Sequence, residues 1–233
     1  MPATLKVIGF DADDTLWQNE THFKFTEQRF AELMADHGEA AHVSARLLEA
    51  ERRNLAFYGF GIKGFMLSMI ETAVEVTNGR PPEGAINRIL EFGREMLRHP
   101  VETLPHARET LEELAGRYRL VLITKGDLFD QERKLAASGL GEFFNGVEIV
   151  SDKTPATYAR IFRAHAGDAA GALMVGNSLK SDILPALEAG SFAVHIPHEL
   201  TWALEHADAP EENPRFRRIP HLGELGQLLG QIS

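Results

Sequence analysis

The chain contains no cysteine, which excludes a disulfide framework and a thiolate-held metal and fits a cytoplasmic setting better than secretion. It has no apolar run approaching the roughly 20 residues that a membrane helix needs. Its first ten residues lack the charged, then apolar, then small pattern of a secretory leader. Positive charge is also short: 24 Lys and Arg stand against 34 Asp and Glu, a formal net charge of −10. That balance speaks against a nucleic-acid partner, which needs a basic surface to meet phosphates. A small anionic substrate stays open, because a metal ion and two lysines reverse the sign inside one pocket. There is no internal repeat and no low-complexity stretch. What is there is 233 residues, 44% hydrophobic and 25% charged, enough for one α/β domain carrying an insertion.

Leu5 to Phe10 is a short apolar run, rich in β-branched residues, that ends abruptly in acids. It reads as a buried strand. Similar runs recur at Tyr118–Ile123, Gly146–Val150, Ala172–Val175 and Phe192–Ile196. Helical stretches are expected at Pro105–Arg117, Leu128–Ser138, Pro155–Ala166 and Leu179–Ala189, with a short last helix over His221–Gly230. Strands alternating with helices at this spacing predict a parallel sheet covered on both faces. Residues 17 to 100 break the rhythm, with four amphipathic helical patterns and no convincing strand. That is far more chain than a crossover requires. The expectation is a catalytic core of residues 1–16 and 101–233, and a helical cap of residues 17–100. In an open α/β sheet ligands bind beyond the carboxyl ends of the strands, where an insert after the first strand is placed to act as a lid.

Four groups of residues follow the predicted strands. After the first comes Asp11-Ala12-Asp13-Asp14-Thr15-Leu16, in which residues i and i+2 leave the strand on one side, so Asp11 and Asp13 can converge. After the second comes Thr124-Lys125-Gly126-Asp127, a hydroxyl and turn residues ahead of a helix, suited to an anion. After the third comes Lys153, just before a helix opened by Pro155. After the fourth comes Gly176-Asn177-Ser178-Leu179-Lys180-Ser181-Asp182. Each alone reads equally well as a helix cap or a turn. Together they put paired carboxylates, a hydroxyl, lysines and a further acid at one edge of one sheet, which capping does not predict.

These ordered motifs resemble those of the haloacid dehalogenase superfamily, over nearly the whole chain. Asp11 to Leu16 is similar to its D-x-D-x-T-L motif. The resemblance implies a Rossmann-like sheet in the order 5-4-1-2-3 with a helical cap inserted after the first motif. It implies a nucleophile at Asp11, a general acid/base at Asp13, and phosphate contacts from Thr124 and Lys153. Lys125, beside Thr124, is counted with them. It implies Mg²⁺ held by the Asp11 carboxylate, the Asp13 backbone carbonyl and the Asn177/Asp182 motif. Asn177 stands where many members have Asp, so Asp182 would carry more of the metal's charge balance. Asp14 replaces a common glycine and is expected to point away from the metal.

The activity implied is a phosphatase acting on a small phosphorylated metabolite. The dehalogenase branch lacks the second aspartate, because a halide leaves without a proton, whereas phosphomutases keep both. A proton-donating Asp13 needs a pKa raised above about 3.9, which neighbouring carboxylates would supply. A catalytically inactive binding protein on this fold is the other alternative. Gly59 to Gly64 fits G-x-G-x-x-G, but a helical pattern precedes it, so it reads as a turn between cap helices. His195, His198 and His206 match no zinc spacing and read as structural.

Overall fold

Strand β1 (Val7–Phe10) is buried throughout and lies between β2 (Arg119–Lys125) and β4 (Ala172–Gly176), parallel to both. β3 (Gly146–Val150) extends the sheet beyond β2, and β5 (Phe192–His195) beyond β4. The five expected strands thus stand in the expected order. A sixth parallel strand, β6 (Phe216–Arg218), is added beside β5. Its three residues are too few to show a period, so no pattern in the chain marks it. The structure, a computed structural model, describes residues 5–232; residues 1–4 and 233, at the ends of the expected core segments, lie outside the described residues.

The helical elements are α1 (Glu20–Leu33), α2 (Ala40–Tyr58), α3 (Ile62–Val76), α4 (Ala85–Arg98), α5 (Ala107–Ala115), α6 (Leu128–Ser138), α7 (Pro155–Ala166), α8 (Leu184–Glu188) and α9 (Leu225–Ile232). None among the described residues is long and apolar enough to cross a membrane. Gly59 and Gly61 have positive φ and form the turn between α2 and α3. Helix α2, not a strand, leads into them, so the G-x-G-x-x-G string lacks a dinucleotide setting. The helix expected over Leu179–Ala189 is broken into a π-helical turn, Leu179–Ile183, and α8, which Pro185 opens.

Alternation along the central strands sorts two cores. Ile8, Phe10, Leu122 and Val175 pack with Ala107, Leu111 and Leu114 of α5 on one face. Val7, Val121, Ile123 and Met174 pack with Tyr158, Ile161 and Phe162 of α7 on the other. Gly9 lies on the α7 face, where a Cβ would come within 2.8 Å of Ile123 and 3.1 Å of Met174. Only a glycine lets the neighbouring side chains fill that space.

The chain forms two compact units. The first, Met1–Glu20, Val101–Lys125 and Gln131–Ser233, holds the sheet. The second, Thr21–Pro100 with Gly126–Asp130, has its own core of Phe30, Met34, Leu47, Met69, Ile89 and Phe92. Within it, Lys63 pairs with Asp127 at 2.9 Å.

Candidate active site

The parallel register brings the carboxyl ends of β1, β2 and β4 level, Phe10 pairing with both Leu122 and Val175. The chain then leaves the sheet and its side chains turn to one another. Asp11 is still anchored to the sheet, its N–H donating to the Val175 carbonyl at 2.9 Å. Its carboxylate is buried. One oxygen, Oδ2, accepts from the Thr15 hydroxyl at 3.1 Å, and Oδ1 accepts from the Lys153 ammonium. The same ammonium donates to Asp182 Oδ1 at 2.7 Å. The second Asp182 oxygen accepts from the Ser178 N–H at 2.9 Å.

Two buried carboxylates therefore share one buried ammonium. Burial pushes the Asp11 carboxyl up to about 7, with Asp182 adding to the rise and Lys153 opposing it. Burial alone would lower Lys153, but Asp11 and Asp182 outweigh it and hold the amine protonated. Gly176, the last residue of β4, makes room for this arrangement. A Cβ there would lie 2.3 Å from Asp182 Oδ2.

Asp13 sits in a different environment from the one its sequence suggested. Its Oδ1 accepts from the Trp17 indole at 2.7 Å and from the Lys134 ammonium at 2.6 Å. Its Oδ2 accepts from the Gln131 amide at 2.8 Å. Burial works to raise its pKa, but the Lys134 charge and these hydrogen bonds bring it below the ordinary value. The expected rise is therefore corrected. The decisive neighbour is a cation 121 residues away in sequence, not an adjacent carboxylate.

Thr124 is buried, and its hydroxyl accepts from the same Gln131 amide at 2.8 Å. Lys125 turns to Glu205 (2.6 Å) and the Ser181 hydroxyl (2.7 Å). Glu205 also accepts from the hydroxyls of Ser178, at 2.6 Å, and Ser181. Burial opposes its ionisation, but Lys125 and the hydroxyls hold its carboxyl below the usual range. Asn177 has its N–H on the Thr15 hydroxyl at 3.1 Å and its Oδ1 3.4 Å from that oxygen. His195 Nε2 lies 2.9 Å from the Asn177 carbonyl. A carbonyl can only accept, so Nε2 carries the proton, and burial pushes the ring's pKa below its ordinary value.

Asp14 faces elsewhere. It has a positive φ of 60°, and its carboxylate accepts from the N–H groups of Asn19 and Glu20 at the start of α1. His198 lies 3.7 Å away. Burial raises the Asp14 carboxyl to about 6 against the pull of His198. Among the described residues no three His, Asp or Glu side chains form a metal cluster.

The structure thus brings Asp11, Lys153, Asp182 and, through Thr15, Asn177 into one group. Asp13 and Thr124, joined by Gln131, form a second with Lys134, which bonds Asp13. The sequence reading missed Gln131, Lys134, Trp17 and Glu205. The first two did carry a signal, since residues three apart on an expected helix share a face, but nothing said what that face would meet.

The profile of the haloacid dehalogenase-like hydrolases matches residues 5–190. A glyceraldehyde 3-phosphate phosphatase of Methanothermobacter thermautotrophicus is 27% identical over 211 residues, covering 85% of this chain and 88% of that protein. The crystal structure of a haloacid dehalogenase-like family hydrolase from Xanthomonas campestris is 38% identical, with a TM-score of 0.87 over 98% of this chain and 92% of that one. The L-2-haloacid dehalogenase of Xanthobacter autotrophicus, with chloropropionic acid covalently bound, shares the fold at a TM-score of 0.68 and 19% identity, covering 99% of this chain and 100% of that one. The chain belongs to the haloacid dehalogenase-like hydrolase family.

Proposed function

We propose that this hydrolase is a magnesium-dependent phosphatase that releases phosphate from a small phosphorylated metabolite through an aspartyl-phosphate intermediate. The observation that carries the reading is Asp13. A halide departs without a proton, whereas an alkoxide leaving phosphorus needs one. This chain keeps a second carboxylate beside Asp11 and links it through Gln131 to the hydroxyl of Thr124. The similarity to a protein named as a phosphatase supports the same reading.

The donors around Asp11 fit Mg²⁺. They are all hard oxygens: the carboxylates of Asp11 and Asp182 and the amide of Asn177, to which the family resemblance adds the backbone carbonyl of Asp13. Two carboxylates against one ammonium leave excess buried negative charge, and burial, with Asp182 adding to it, pushes the Asp11 carboxyl up to about 7. Such a site favours a cation. When bound, Mg²⁺ supplies positive charge that lowers the repulsion between a phosphate and an attacking carboxylate.

The chain's own residues do the rest. Asp11, ionised, attacks phosphorus with one carboxylate oxygen, and the bond from phosphorus to the ester oxygen breaks. Lys153 and Thr124 hold phosphoryl oxygens while charge shifts in the transition state. Asp13 gives a proton to the departing oxygen, then takes one from the water that hydrolyses the aspartyl-phosphate. In the resting site Lys134 and its companions hold Asp13 as an anion. A dianionic phosphate arriving nearby raises its proton affinity, as like charges do. Lys125, tied to Glu205 and Ser181, steadies the loop that carries Asp182.

A panel of phosphorylated metabolites assayed with Mg²⁺ and with excess chelator tests the proposal. Phosphate release that stops with chelator and in Asp11→Asn is the expected result. Release that persists in chelator removes the metal from the mechanism. Phosphate returned to the substrate instead of to water makes the protein a phosphomutase.

A further inference from the structure

Gln131 and Lys134 are three residues apart on α6, so their side chains leave one face of the helix. Both are almost fully buried, 3% and 9% exposed, and both end on Asp13. Lys134 reaches Oδ1 and Gln131 reaches Oδ2. Trp17, itself buried, adds a second donor to Oδ1. Lys134 is steadied by Asn19 Oδ1 at 3.1 Å.

The Gln131 amide nitrogen has two hydrogens and faces three acceptors: Asp13 Oδ2, Thr124 Oγ1 and the Lys125 carbonyl, at 2.8 to 2.9 Å. Its oxygen, Oε1, is buried with no partner. Turning the amide over would set Oε1 against the Asp13 carboxylate, so electrostatics fixes the orientation with the nitrogen inward. A buried amide oxygen left unpaired loses its hydration without compensation. An apolar side chain would avoid that cost but take the amide donor from Asp13, Thr124 and the Lys125 carbonyl. What the glutamine does is tie Asp13 to Thr124.

We propose that Gln131 and Lys134 are positioning residues for proton transfer by Asp13, gripping both oxygens of its carboxylate and fixing it relative to the phosphate-holding hydroxyl of Thr124. The inference deepens the phosphatase reading and rests on it. Proton transfer needs the carboxyl within hydrogen-bond reach of the ester oxygen as the bond to phosphorus breaks. The proton on Asp13 passes to that oxygen, and a proton from the hydrolytic water later replaces it. A carboxylate with donors on both oxygens does not rotate freely, so its alignment with the phosphoryl group is set before the substrate arrives. Misplacement of about 1 Å can cost about 100-fold in rate.

The test compares two esters with Mg²⁺ present: an alkyl phosphate, whose leaving oxygen needs a proton, and p-nitrophenyl phosphate, whose phenolate leaves without one. Gln131→Met keeps the side-chain length, Lys134→Met most of it, and both remove the donors. The expected result is a fall of at least about ten-fold in the ratio of kcat/KM for the alkyl ester to that for the aryl ester, carried by kcat, since general acid catalysis contributes about 10²–10⁴-fold. Asp13→Ala sets the lowest value of that ratio. A merely structural role lowers both rates together and leaves the ratio at its wild-type value in both variants, which overturns the proposal. If one variant fails to fold, the other decides. A wild-type protein that releases no phosphate from either ester overturns the phosphatase reading, and this inference with it. An active wild type with an unmoved ratio overturns this inference alone.

Discussion

Lys153→Met tests the charge balance at the strand ends. In the folded chain the Lys153 ammonium donates to both Asp11 and Asp182, and all three side chains are shielded from water. Methionine keeps most of the volume and removes the charge, leaving two carboxylates that had shared one nitrogen. Two like charges taken as about 5 Å apart repel by about 3 kcal/mol at an effective dielectric constant of about 20. Removing one partner of a buried ion pair costs about 3–5 kcal/mol. The sign with pH follows from Asp11, which titrates at about 7 in the folded chain against 3.8 for an ordinary carboxyl. Between those values the folded state holds a proton that the unfolded state has released. Stability from this group is therefore greatest below the ordinary value and is lost as pH rises through about 7. Without Lys153 the folded value moves higher still, so the loss continues past neutrality. Urea unfolding in the presence of chelator, at pH 5 and pH 8, measures both terms. The variant is expected to lose about 3–5 kcal/mol at pH 8 and less than about half of that at pH 5, where a proton on Asp11 relieves the repulsion. An equal penalty at the two pH values refutes the shared-ammonium account.

The same balance predicts that Mg²⁺ raises Tm over chelator more at pH 8 than at pH 5, since a ligating carboxylate must first lose its proton; a shift that ignores pH, or none, counts against the metal assignment. Gly176→Ala places a methyl group 2.3 Å from Asp182 Oδ2. It should cost about 1–3 kcal/mol by overpacking and shrink the Tm response to Mg²⁺, and a variant matching wild type in both shows that Asp182 has other room. Glu205→Gln should lose about 1–3 kcal/mol near neutrality, because the hydrogen bonds lose their charge. Glu205 has a depressed folded pKa, so its stabilisation is present above its ordinary value of 4.5 and is lost on acidification. The gap between wild type and variant should therefore narrow in urea titrations below that pH, and a gap that widens refutes the pairing with Lys125.

Local pattern was enough to place most of the elements. A run such as Leu5 to Phe10 has no polar face, so it must be covered on both sides, and that is the property of a central parallel strand. The motif residues Asp11, Asp13, Thr124, Lys153, Asn177 and Asp182 were legible because each lies at or within a few residues of the end of such a run. β6 was not, because Phe216–Arg218 is held as a strand by its register with Ala193 to His195, a relation between distant segments. The break at Leu179–Ile183 escaped for a related reason. Residues 179 to 189 keep an amphipathic look, while Asp182, inside that stretch, is drawn to the Ser178 N–H and Lys153.

The sequence by itself determined which carboxylates, hydroxyls and lysines lie at the strand ends, because side-chain chemistry and strand boundaries are local. Only the tertiary structure decided how their charges pair. Lys153 comes to Asp11 across 142 residues, Lys134 to Asp13 across 121, and Lys125 to Glu205 across 80. Burial and these neighbours set opposite protonation tendencies on two aspartates two positions apart, Asp11 upward through burial and Asp182, Asp13 downward through Lys134 and its hydrogen bonds. A carboxyl's proton affinity depends on burial and on charges within a few ångströms, and neither is a property of the residues beside it in the chain.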